Sequence, residues 1–263
     1  MGMRGNTIVG FGGLGNRVNE IINGLTVFRD GDLLWHINEH MPHPFEQIFD
    51  SNFNLNIKNV QEGDPEYIRN DQYWANLYSE ETYCSYWYVG ESVLQRKPTQ
   101  TQLIKLYVEV LGNLKSYEDC SVYSIAAHWR GMGTSTGTVE DFLENLIQLW
   151  NTKADNKYPI FVLADSNRNI IEEKLKNEDI PYTMCMSPEM THDKDRDSLG
   201  GMRSFISDYL TLNKCPLILT SSCMSTITDP ARMLGSDVYH IGPTRTDPCD
   251  WSVANKPNSY KKL

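Results

Sequence analysis

The chain has 263 residues and a net charge of −10, with 40% hydrophobic and 22% charged residues. This balance belongs to a packed protein, one large α/β domain or two small ones, and excludes a disordered chain. The acidic surplus argues against nucleic acid or an anionic membrane as partner, yet leaves room for a local basic pocket holding one diphosphate.

The first predicted element is a short apolar run, residues 7–11, that ends in glycines as a buried parallel strand does. After Gly12-Gly13-Leu14-Gly15-Asn16, a helix is expected over 17–29, with Val18, Ile21, Ile22, Leu25 and Phe28 at helical spacing. The turn Asp30-Gly31-Asp32 leads into a second strand at 33–37, completing a βαβ opening. Residues 38–100 are irregular, rich in Asn, Pro and aromatics such as Tyr73, Trp74, Tyr83 and Trp87, and are expected to form loops and short helices. A helix follows at 101–114.

The second half is more regular. Strands are expected at 122–128, 159–164, 182–186, 216–220 and 238–241. Helices are expected from Thr138 as cap to about 150, at 167–177, at 202–212, and ending near 234. Strand and helix alternate throughout, so the class is α/β with parallel sheet. A boundary at 117/118 separates an N-terminal Rossmann-like domain, 1–117, from a C-terminal one, 118–263.

No run approaches the ~20 apolar residues of a membrane span. Residues 1–6 pass directly into the first strand without a signal-peptide core of proper length, and there is no Asn-x-Ser/Thr sequon. None of the six cysteines has Cys-x-x-Cys spacing, which argues against a zinc or redox site and for buried free thiols. A cytoplasmic protein is expected. The 21 Asn against 7 Ala hint at AT-rich coding, hence a microbial or viral origin.

Four clusters carry candidate chemistry. Gly10-Phe11-Gly12-Gly13-Leu14-Gly15 matches G-x-G-x-x-G, where bare backbone can approach a pyrophosphate at a helix N-terminus. It also fits a tight turn with no ligand, or an NAD(P)-dependent oxidoreductase. For the latter the ribose-binding acid is poorly placed, because Asp30 and Asp32 precede the second strand. No Tyr-x-x-x-Lys occurs, so a short-chain dehydrogenase site is disfavoured.

The other three clusters stand at strand ends. His128-Trp129-Arg130-Gly131 offers a permanently charged fork for phosphate oxygens, or a structural ion pair. Asp165-Ser166-Asn167 suits ribose hydroxyls, or caps a helix. Thr220-Ser221-Ser222-Cys223-Met224-Ser225 suits a phosphate, or again a helix cap. Three polar clusters at consecutive strand ends, with a glycine loop in the other half, point to a nucleoside diphosphate bound between two domains. Asp193-Lys194-Asp195-Arg196-Asp197 contains an Asp-x-Asp and reads as a solvated loop before a metal site.

These residues resemble the fucosyltransferase superfamily that includes the α-1,6-, α-1,2- and protein O-fucosyltransferases. Gly12-Gly13-Leu14-Gly15-Asn16-Arg17 is similar to its N-terminal loop, and His128-Trp129-Arg130-Gly131 to its His-x-Arg motif. Phe161-Val162-Leu163-Ala164-Asp165-Ser166 is similar to its second motif. The stretch 207–215, running into 220–225, is similar to its third.

The resemblance implies a GT-B fold and an inverting, metal-independent transfer from a GDP-sugar, L-fucose expected, to a glycan or other hydroxyl acceptor, with no cofactor. It implies that Arg130 neutralises the departing diphosphate. Gly13, Gly15, Asn16, Arg17, His128, Asp165, Ser166, Asp208, Ser221, Ser222 and Ser225 are implied donor contacts, His128 near the nucleoside and Asp208 at the guanine unless it is a structural helix residue. Some relatives have a second basic residue where this chain has Gly131. Asp32 and Glu39 are the guesses for a general base, and the aromatics of 73–88 could instead serve a non-catalytic glycan-binding module.

Overall fold

A computed structural model describes residues 7–10, 12–27, 31–67, 99–117, 121–131, 137–186, 198–222, 226–241 and 261–262. By its internal contacts the chain divides into two compact units, Met1–Lys115 and Ser116–Leu263.

The first unit is a parallel three-stranded sheet in the order β1-β2-β3. Its elements are β1 (Thr7–Gly10), α1 (Leu14–Val27), β2 (Gly31–His36), α2 (Phe45–Ile48), β3 (Leu55–Val60) and α3 (Gln100–Gly112). Ile8, Val9, Leu33 and Trp35 are fully buried in the sheet, and Val18, Ile21 and Ile22 cover it from α1. Trp35 meets Phe45 and Phe49 edge to face, the favoured geometry for ring quadrupoles. Tyr107 on α3 donates to Asn19 on α1 at 2.9 Å.

Two expectations for this unit need correction. Helix α1 starts at Leu14, three residues before Arg17. Gly12 turns the chain at φ +77°, a region costly for residues with a Cβ, and Arg17 N–H closes the first turn on Gly13 O at 3.1 Å. Gly15 and Asn16 therefore belong to the helix, not to the loop. The irregular stretch also contains a full strand, β3, paired with β2 from Gly31↔Leu55 to His36↔Val60. Its three asparagine and lysine positions disguise the buried ends Leu55 and Val60. Tyr73, Trp74, Tyr78, Tyr83, Tyr86, Trp87 and Tyr88 lie outside the described residues.

The second unit holds a six-stranded, all-parallel sheet in the order β6-β5-β4-β7-β8-β9. In chain order its elements are β4 (Ile125–Trp129), α4 (Val139–Thr152), β5 (Ile160–Ala164), α5 (Arg168–Asn177), β6 (Tyr182–Met184), α6 (Leu199–Lys214), β7 (Leu217–Thr220), α7 (Asp229–Met233), β8 (Asp237–His240) and β9 (Lys261–Lys262). Strands β4, β5 and β7 are buried along their whole length, which is why they read as apolar runs interrupted only by His128 and Thr220. One face is covered by Phe142, Leu146 and Leu149 of α4 with Ile171 and Leu175 of α5. Cys185 and Cys215 are buried free thiols, and burial pushes Cys215 up to about 12. Among the described residues no helix is long and apolar enough to cross a membrane.

Thr138 caps α4 as its sequence predicts. Asp141 N–H donates to Thr138 Oγ1 at 3.1 Å, and Thr138 N–H donates back to Asp141 Oδ2 at 3.0 Å. Thr138→Ala is expected to lower the stability of the second unit by about 1 kcal/mol, and Thr138→Ser by less. Urea unfolding followed by tryptophan fluorescence checks this, and equal losses for both variants would contradict it.

Candidate active site

The strand order of the second unit reverses between β4 and β7, because β5 and β6 are added on one side and β7 to β9 on the other. Successive crossovers there leave the sheet in opposite directions, and the carboxyl ends of β4 and β7 are where such a topology sets a ligand site. Arg130 follows β4 directly, and Ser221 and Ser222 follow β7.

The backbone around Arg130 is closely tied. Arg130 N–H donates to Ser221 Oγ at 2.7 Å, and the same hydroxyl donates to Arg130 O at 3.4 Å. Gly131 N–H donates to Asp165 Oδ1 at 2.7 Å. Ser166 hydroxyl donates to Asp165 Oδ1 at 3.0 Å and accepts from Trp129 Nε1 at 3.2 Å. Ser221 and Asp165 are buried, and Arg130 is half-buried. The guanidinium of Arg130 makes no hydrogen bond or ion pair among the described residues.

His128 is buried, with Nδ1 2.9 Å from Thr220 Oγ1. Burial, and then the charge of Arg130, lower its pKa to about 3, so the imidazole is neutral. Thr220 Oγ1 accepts from Ser222 N–H and donates to Ser222 O, both at 3.2 Å. Ser222 Oγ is buried with no hydrogen-bond partner among the described residues. Asp208 sits inside α6, buried, and accepts from Met186 N–H at 2.9 Å, holding the chain as it leaves β6.

Capping does not account for Asp165, Ser166, Ser221 or Ser222. The cap of α5 is Asn167, in the left-handed region at φ 56° and without a side-chain cap bond, so Asp165 and Ser166 serve the Arg130 turn instead. After β7 comes a 3-10 turn, Thr226–Thr228, and the five-residue α7 begins only at Asp229. Ser221 and Ser222 are therefore not at a helix N-terminus. Ser225 and the Asp-x-Asp of 193–197 lie outside the described residues. Among the described residues no group of three or more His, Cys, Asp or Glu stands together.

In the first unit Arg17 is buried and turned inward. It donates to Gly12 O at 2.7 Å, to His36 O at 2.7 Å and to Asn38 Oδ1 at 3.3 Å, and lies 4.3 Å over the Trp35 ring. Its visible work is to pin the glycine turn to the end of β2. A Cβ on Gly13 would meet nothing within 4 Å, so that backbone is open to approach. Asp32 lies at the amino end of β2, paired with Thr7 and bonded to Asn56, the opposite end of the strand from the glycine turn. Glu39 is exposed and faces His40 at 3.6 Å. The carboxyl end of β2 thus carries His36 where a dinucleotide site needs an acid. His36 was not singled out from sequence, although it is the polar residue closing the apolar run Leu33-Leu34-Trp35. Its pKa falls to about 4, by burial and then the charge of Arg17.

Neither a protein-family model nor a curated protein sequence matches the chain. Solved structures do. NodZ α-1,6-fucosyltransferase soaked with GDP-fucose superposes with a TM-score of 0.56 at 12% identity, over 97% of this chain and 98% of that one. Fucosyltransferase NodZ from Bradyrhizobium gives 0.52 at 12% identity, over 91% and 96%. The chain has a fucosyltransferase fold. Its two parallel Rossmann-like sheets are those of the GT-B class.

Within this fold the departure at Gly131 has a local cause. A Cβ there would come within 2.0 Å of Ser166 Oγ, so a second basic side chain is excluded while Ser166 holds its place.

Both buried imidazoles make stability depend on pH. In the unfolded chain each takes up a proton below about 6.5, whereas the folded protein resists this down to about 4 at His36 and about 3 at His128. Their contribution is therefore complete above pH 6.5 and is lost progressively as pH falls below it. Urea midpoints are expected to fall between pH 7 and pH 5. His128→Asn, which keeps a hydrogen-bonding atom near the Nδ1 position, should flatten the slope of the second unit by about one proton. An unchanged slope in that variant would show that His128 is not held neutral.

Proposed function

We propose that the chain is a glycosyltransferase that moves a sugar from a GDP-sugar, GDP-fucose first among candidates, to a hydroxyl of a glycan acceptor. The observation that carries this reading is the guanidinium of Arg130, unpaired among the described residues, at the switch point of a fold shared with an enzyme soaked with GDP-fucose. A fixed cation at that place suits the negative charge that grows on a leaving diphosphate. The second unit then binds the donor and the first unit serves the acceptor.

In this reading the acceptor oxygen attacks C1 of the sugar from the face opposite the diphosphate, so configuration inverts. The C1–O bond to GDP breaks as the acceptor hydroxyl gives up its proton to water, and the charge left on the diphosphate is met by Arg130 and not by a metal. Ser222, whose buried hydroxyl has no internal partner among the described residues, is the hydroxyl best suited to a phosphate oxygen. His128 holds Thr220 Oγ1, and through it the Ser222 backbone, beside that hydroxyl. Gly13 offers open backbone on the acceptor side, while Arg17 shapes that turn from within.

Calorimetric titration with GDP, UDP and NAD in the presence of EDTA tests the proposal. GDP is expected to bind without metal, and Arg130→Ala to weaken it at least about tenfold and to cost about 2–4 kcal/mol of transition-state stabilisation in turnover. Preference for UDP would discard fucose but keep the transferase. NAD binding without a GDP response would overturn the reading.

A further inference from the structure

The peptide groups of Arg130 and Gly131 are gripped from both neighbouring strands. On the β7 side, one Ser221 hydroxyl takes the Arg130 N–H at 2.7 Å and returns its only hydrogen to Arg130 O at 3.4 Å. On the β5 side, Asp165 Oδ1 takes the Gly131 N–H at 2.7 Å, while Asp165 N–H donates to Trp129 O at 3.2 Å. Trp129 and Asp165 then share Ser166, whose hydroxyl accepts from the indole and donates to the carboxylate.

We propose that Ser221 and Asp165 are positioning residues that fix Arg130 for the diphosphate, and do not themselves touch the donor. The proposal rests on the GDP-sugar reading of this site and departs from the roles that resemblance alone implied for these two residues.

The physical ground is entropy and direction. Past the last ladder pair, His128↔Thr220, β4 no longer has regular sheet partners on the β7 side. Ser221 N–H still reaches His128 O at 2.9 Å, and from there side chains take over the ladder's work. An arginine on a loose backbone spreads its fork over a wide volume. One on a backbone tied at two successive amides loses that freedom before the ligand arrives. The grip also needs a residue without a side chain at 131, since Ser166 Oγ fills the place of its Cβ. The chain thus trades a possible second cation for a better-held first one.

The test uses NMR on the full-length, ¹⁵N-labelled protein. In the unliganded wild type the amides of Arg130 and Gly131 are expected to exchange slowly with solvent. Ser221→Ala should release the first and Asp165→Ala the second, with the other amides of the sheet still protected. Titration with GDP follows in the wild type, Ser221→Ala, Arg130→Ala and the double variant. Ser221→Ala should weaken GDP about tenfold beside Arg130, and less than about twofold beside Ala at 130, because its effect passes through the arginine. A purely structural role would not show that coupling. Equal losses in both backgrounds would mean direct contact with the donor and overturn the proposal, as would fast exchange of both amides in the wild type. A wild-type protein with protected amides and no response to GDP would overturn the donor reading and leave the grip itself standing.

Discussion

The site depends on one topological constraint, the reversal of strand order between β4 and β7. Right-handed crossovers force α4 and α5 to one face of the sheet and send the connections of β7 and β8 the other way. The loops leaving β4 and β7 therefore part from each other. A polar group at their roots that is bonded within the unit finds its partner sideways, across the strand ends. That is where Arg130, Ser221, Asp165 and Thr220 stand, and their mutual hydrogen bonds follow from the geometry as much as from their chemistry.

Much of this was legible in the sequence because a strand buried on both faces has no choice of composition. The run 160–164 is wholly apolar, and 125–129 and 217–220 are apolar but for the buried His128 and Thr220 near their carboxyl ends, so the polar residues that follow mark the strand ends. Thr138 was legible because a cap and its reciprocal partner are three residues apart. What sequence hid was tertiary. β3 is an outer strand of a three-stranded sheet, so only Leu55 and Val60 had to be buried and asparagine was tolerated between them. The start of α1 depended on the fold of Gly12 against Asn16, where a Cβ would lie 2.6 Å from the amide nitrogen. The internal bonds of Arg17 and Asp208 were not legible, because an exposed charge and a buried, bonded one have the same letter. Only burial and partners distinguish a guanidinium that holds His36 O from one with no bond among the described residues.

The same distinction sorts the candidate site as a whole. A buried polar atom without a partner costs about 1–3 kcal/mol, so a fold keeps few of them. Ser221, Asp165, Ser166, Thr220 and His128 each have named partners within the second unit. They spend their polar atoms on holding the turn. The Ser222 hydroxyl and the Arg130 guanidinium do not. The first is buried with no partner among the described residues, and the second is a half-buried charge left without a counter-charge among them. These two fall at the switch point, whereas Arg203 Nε, also buried without a partner among the described residues, lies within α6. Both groups at the switch point are of the sign that an anion with acceptor oxygens would satisfy. A nucleoside diphosphate brings such oxygens in a row. On the proposed reading the division of labour is a consequence of satisfaction: saturated groups set the shape, and unsaturated ones are left for the donor.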